Sequence, residues 1–139
     1  MAAITITAAD VKLTLGPIIQ SLATFGEAVT QGQPVRLDTS DTKHYLCKND
    51  VEAEAAAEHL ALTPGGDADL GVLVGQGAKV YLGAATGMVV GDSYYVGPND
   101  GEIVPEADLL TGDYVTRVGI CVAAGVLEVD INATGVLVP

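Results

Sequence analysis

The side chains of this 139-residue chain that could do chemistry are few and far apart. His44 sits beside Tyr45 in an alternating run, and His59 follows an Ala/Glu-rich stretch; neither stands in a Cys/His pattern with metal-ligand spacing. The serines are Ser21, Ser40 and Ser93, and none lies in the Gly-x-Ser-x-Gly setting of an activated nucleophile. The glycine-bearing run Gly71 to Gly77 has neither the lysine nor the following helix of a phosphate-binding loop. Carboxylates come close together twice, as Asp67 and Asp69 and as Asn99, Asp100 and Glu102. A calcium loop needs six or more converging oxygens, a density neither group reaches, whereas Asn-Asp-Gly is what a tight hairpin turn requires. The expectation is therefore a non-enzyme, with no catalytic residues, no cofactor and no bound metal.

Composition narrows the partners. Acidic residues outnumber basic ones 18 to 6, for a net charge of −12, and the six cations (Lys12, Arg36, Lys43, Lys48, Lys79, Arg117) do not cluster. A phosphate backbone or an anionic membrane would be repelled, so neither nucleic acid nor membrane is an expected partner. No apolar stretch approaches the roughly 20 residues of a helical membrane span. The N-terminus shows no basic region followed by an apolar run, so Cys47 and Cys121 read as free thiols, with a single bridge as the alternative.

Hydrophobic residues make up 49% of the chain, but Trp is absent and Phe25 is the single Phe. Such a core is aliphatic and finely divided, suited to thin sheets. Period-two alternation dominates. Leu127, Val129 and Ile131 share one face of a run while Glu128 and Asp130 take the other, and Val118, Ile120 and Val122 share a face with Tyr114 and Thr116, opposite Arg117 and Cys121. Ala123-Ala124-Gly125 joins these two runs into a hairpin. Further strands are expected at Val35–Asp38, His44–Cys47, Gly71–Val74, Ala78–Leu82 and Ser93–Val96, separated by Gly- and Pro-rich turns. The run Asn49 to Glu58, rich in Ala and Glu, predicts a helix of about two to three turns with Asn49 or Asp50 as its cap. The fold class is all-β, a small barrel or sandwich with one short Ala-rich helix near 50–59.

The whole chain reads as one domain with a β core over 18–131. Residues 1–17 alternate in two bursts, Ile4 and Ile6, then Val11, Leu13 and Leu15, before Gly16-Pro17 imposes a turn. They serve either as an arm that adds a strand to a partner's sheet or as strands of the domain's own sheet. Residues 132–139 carry Val136, Leu137 and Val138 and no charge, which suggests a second, C-terminal arm. These eight aliphatic residues are the candidate contacts to a partner or a second subunit.

The order of pieces resembles a known family. Gly32-Gln33-Pro34-Val35 opens a strand, Val90-Gly91-Asp92-Ser93-Tyr94 makes a turn, and Val118-Gly119-Ile120 closes a strand, with Cys121 where the family usually has Ala. Over roughly residues 26 to 132 this is similar to the head decoration, or capsid cement, proteins of tailed bacteriophages. The resemblance implies a structural virion protein, made in the host bacterial cytoplasm and held on the outer surface of the capsid. There it would clamp neighbouring major capsid subunits as a homotrimer. The competing readings are another non-catalytic virion component, a host- or carbohydrate-binding β module, and, least supported by the motifs, an all-β nucleotide hydrolase. The sugar-binding reading is weakened by the absence of Trp, since sugar sites favour aromatic platforms.

Overall fold

The computed structural model describes residues 3–16 and 20–139. Within them lie eleven strands: β1 (Lys12–Leu15), β2 (Gln20–Thr24), β3 (Pro34–Asp38), β4 (Lys43–Leu46), β5 (His59–Ala61), β6 (Leu70–Val74), β7 (Lys79–Tyr81), β8 (Ser93–Val96), β9 (Ile103–Pro105), β10 (Tyr114–Ala123) and β11 (Val126–Leu137). All pairings between these strands are antiparallel. A six-stranded sheet runs in the order β1-β7-β11-β10-β8-β9, and a five-stranded sheet in the order β2-β6-β5-β3-β4. Neither closes into a barrel, so of the two expected all-β architectures the sandwich is the one formed.

The main core lies between the sheets. The six-stranded sheet supplies Val80, Tyr94, Val96, Ile103, Val118, Cys121, Leu127 and Val129, and the five-stranded sheet supplies Leu60 and Val74. A smaller cluster packs on the other side of the five-stranded sheet, where Val35, Ala61 and Leu73 meet Ala23, Phe25 and Val29. That sheet is thus buried on both faces, as the consecutive buried residues Leu60-Ala61 and Leu73-Val74 require.

The helix is the main departure from the sequence expectation. It is a single turn, Glu52–Ala55, entered from Val51 without a side-chain cap, and Ala56 has already left helical geometry. Asn49 does not cap it. Asn49 is fully buried and its Nδ2 donates to the Val96 carbonyl at 3.2 Å. The Ala/Glu propensity over 56–58 is overruled because the segment that follows is needed as β5, the strand that joins β3 to β6. Glu58 N–H already donates to the Val35 carbonyl at 3.0 Å.

The alternation in β10 also departs from a simple period of two. Thr116 and Val118 face the core as expected, but so does Cys121, while Ile120 is only half-buried. The pairing of β10 with β8 slips by one residue at Gly119, and a one-residue slip exchanges the faces of everything beyond it. A Cβ at Gly119 would lie 2.3 Å from the Glu128 carbonyl oxygen, so the slip requires glycine there.

Phe25 is fully buried against Gly65 and Gly71, where added Cβ atoms would stand 2.7 Å and 2.4 Å from its ring. Gly71→Ala should therefore destabilise the domain by about 1–3 kcal/mol, the usual cost of overpacking. Gly66→Ala, whose nearest neighbour would be an ordinary 3.5 Å away, should be close to neutral. Urea unfolding of the two variants measures the difference, and equal midpoints would show that the ring accommodates the extra methyl.

Candidate interaction surface

The N-terminal segment lies on its own domain. Ile4 N–H donates to the Ile103 carbonyl of β9 at 3.0 Å, Thr7 N–H to the Leu82 carbonyl just past β7 at 3.0 Å, and β1 pairs with β7. The segment therefore bonds to strands towards both edges of the six-stranded sheet. Ile4, Ile6, Val11 and Leu13 are half-buried and packed against the main core, while Thr5, Lys12 and Thr14 between them are exposed. Of the described part of residues 1–17, Lys12–Leu15 form a strand of the domain's own sheet, and residues 4–7 are bonded to the domain without forming a second strand. The segment is not a free arm in this chain, because apolar surface with a core beneath it is buried there first. Leu15 pairs through its backbone with Lys79; its side chain lies outside the described residues, as do Pro17 and the core boundary placed at 18.

The C-terminal residues are not a loose arm either. Past Asp130 the β10–β11 ribbon continues beyond the core, with Arg117 opposite Asn132 and Tyr114 opposite Leu137. The end is tied down by Gly112 N–H to the Val138 carbonyl (3.0 Å), Val138 N–H to the Asp113 carbonyl (2.8 Å) and Thr111 Oγ1 to the Pro139 carbonyl (3.1 Å). A bulge around Gly135 is held by Thr134, whose Oγ1 donates to the Val115 carbonyl and accepts from Val136 N–H. The backbone is fixed, yet the side chains stay out: Val136 is 60% and Leu137 47% exposed, with Val138 half-buried. Leu110, in the turn that braces this end, is 64% exposed. Leu109, Val115, Val136 to Pro139 and Tyr95 line a groove of about 370 Å³ here, with Glu106 as its single charged residue. The sequence reading found Val136 to Val138. It missed the facing wall, for which the only signal was an adjacent Leu109-Leu110 pair inside a turn between acidic residues.

The other candidates from the sequence turn out to fasten the fold. Asp69 accepts from Gly66 N–H at 2.8 Å, Asp67 pairs with Lys43 at 3.1 Å, and Asn99 donates to Glu102 across their turn at 3.0 Å. Gln76, in the glycine-bearing run, bonds both backbone groups of Ile131 at 2.7 Å. Cys47 and Cys121 are free and buried in the main core, and burial pushes the Cys47 thiol up to about 12. Among the described residues no three His, Cys, Asp or Glu side chains are grouped so as to hold a metal ion.

His44 and His59 do meet. They sit on β4 and β5, on either side of β3, with ring centroids 6.0 Å apart and planes at 72°. The Nδ1 of each is buried without a hydrogen-bond partner. Burial holds both imidazoles below their ordinary value of 6.5; each ring's neighbourhood also includes Glu58, which opposes the shift, and His59 lowers His44 further. The folded state thus favours neutral rings.

No known protein-family model, curated protein or solved structure matches this chain.

Two expectations follow. Because the folded-state values of His44 and His59 lie below the unfolded one, their contribution is intact above pH 6.5 and is lost as pH falls through the folded values. Stability measured by denaturant should therefore fall between pH 7 and pH 5, and His44→Gln/His59→Gln should flatten that slope. The lowered carboxyls of Asp38 and Asp41 act in a separate window, below 3.8. An unchanged slope in the double variant would mean that other groups carry it. Secondly, deleting residues 1–15 removes β1 and uncovers the core beneath four aliphatic side chains. The melting temperature should drop by about 10 °C or more. A truncated protein that melts like the full chain would restore the free-arm reading.

Proposed function

We propose that this chain is a decoration protein that binds the outer surface of a phage capsid and stabilises the expanded shell by bridging neighbouring major capsid subunits. The observation that carries this reading is the exposed aliphatic groove at the end of the β10–β11 ribbon. A rigid apolar patch on an otherwise acidic domain is costly to leave in water and marks a surface meant to be covered by another protein. The segments behind the family resemblance fall on framework strands. Gly32 to Val35 leads into β3, Val90 to Tyr94 into β8, and Val118 to Ile120 lies in β10. The acidity, net −12, suits the outside of a shell better than contact with packaged DNA.

The mechanism would be linkage. A protein that binds the expanded lattice and not free subunits stabilises the lattice by mass action. Many copies, each with modest affinity, sum to a large effect. A homotrimer would match sites where three capsid subunits meet, because a symmetric plug makes equivalent contacts with each.

Co-sedimentation with shells of the virus that encodes this chain tests the reading. The protein should pellet with expanded shells and remain in the supernatant with unexpanded ones, and light scattering should give the mass of three chains. Equal binding to both shell forms, or to neither, would remove the proposal.

A further inference from the structure

We infer that the groove between the β10–β11 ribbon and the Leu109-Leu110 turn receives a protein segment that presents aliphatic side chains flanked by Lys or Arg. This rests on the capsid-binding reading and adds to it the face used and the chemistry of the partner.

Shape and polarity give the first half. The groove is built from Leu109, Val115, Val136, Leu137 and Val138, and its walls are tied by the backbone bonds at Gly112, Val138 and Pro139. Little ordering is needed when a partner docks, so the burial of apolar surface is not spent on fixing the site.

Charge gives the second half. From Val80 to Pro139 the chain carries eight acidic residues and one basic residue, Arg117. Arg117 is already engaged, its guanidinium 2.8 Å from the Asp130 carboxylate. Glu106 lies in the groove itself, and Glu52 of the helical turn comes close to the ribbon, 3.3 Å from where a Cβ on Gly135 would be. Asp113 holds the brace turn, accepting from Leu110 N–H at 2.8 Å. An apolar groove with Glu106 in its wall, on a surface with an excess of carboxylates, is complementary to an aliphatic segment flanked by cations. At this groove the same face of a second copy is the wrong match, because it would bring Glu106 against Glu106, with Arg117 already paired to Asp130.

Binding to expanded shells should be compared for the wild-type chain, V136D/L137D, E106K and L70S at graded salt. L70S is the control, an equally exposed aliphatic residue at the start of β6 and away from the groove. Wild type and L70S should bind alike and weaken as salt rises. V136D/L137D should lose tenfold or more with an unchanged melting curve, and E106K should lose several-fold and show a shallower salt dependence. If the double aspartate variant melts early, V136T/L137T replaces it and should still weaken binding. Wild-type binding with groove variants that bind equally well would overturn this inference and leave the capsid reading standing. Salt-insensitive binding would overturn the basic flank. Wild-type self-association abolished by V136D/L137D would assign the groove to a second copy and overturn it too. A wild-type chain that binds no shell would remove the capsid reading itself, and this inference with it.

Discussion

At Gly119 the main chain of β10 approaches the Glu128 carbonyl so closely that a Cβ would stand 2.3 Å from it. The one-residue slip against β8 occurs at this point, and it decides which side chains of the central hairpin face inward. Thr116 and Val118 point into the core before the slip and Cys121 after it, all facing Leu127 and Val129 of β11 or their neighbours. β10 and β11 occupy the middle of the six-stranded sheet, so the positions of β7 and β8, and through them β1 and β9, depend on this pairing. A bulge also increases local twist.

The two sheets divide the work. The five-stranded sheet is buried on both sides, by the main core on one and by the Phe25 cluster on the other, and it tolerates little change in side-chain volume. The six-stranded sheet has a core on one side, against which the N-terminal segment also packs, and extends past the core at one end. An interaction surface is better placed on the extension, because substitutions there do not disturb packing. The exposure of Val136 and Leu137, alongside backbone groups that are all but fixed, fits that separation.

Charge follows the same division. Cations are spent locally: Lys43 on Asp67, Lys48 on Asp50, Arg117 on Asp130, Arg36 over the Tyr45 ring at 5.5 Å, and Lys12 over Tyr81 at 5.6 Å. Such exposed pairs contribute little stability individually. Their consequence is that the remaining field is negative, which disfavours self-association at any face that lacks cations and favours a partner that supplies them.

Much of the framework was legible in the residues. Period-two runs placed β3, β4, β6, β8, β10 and β11 to within a few positions, because a half-buried strand must alternate. The turn at Asn99 to Glu102 was legible because Asn-Asp-Gly suits a tight turn and its side-chain bond reaches only three residues. What the tertiary structure alone decided is non-local. The Ala/Glu run lost most of its helix because its end is the strand that joins β3 to β6, a demand made by residues far away in the sequence. The apolar N-terminal residues settled on the domain's own sheet because β9 and β7, 64 to 99 residues on, offered unpaired edges. Cys121 turned inward because a slip at one glycine reversed the alternation. The groove exists because a turn at Leu109-Leu110 and the chain's last residues arrive side by side, and local pattern carries no information about such a meeting.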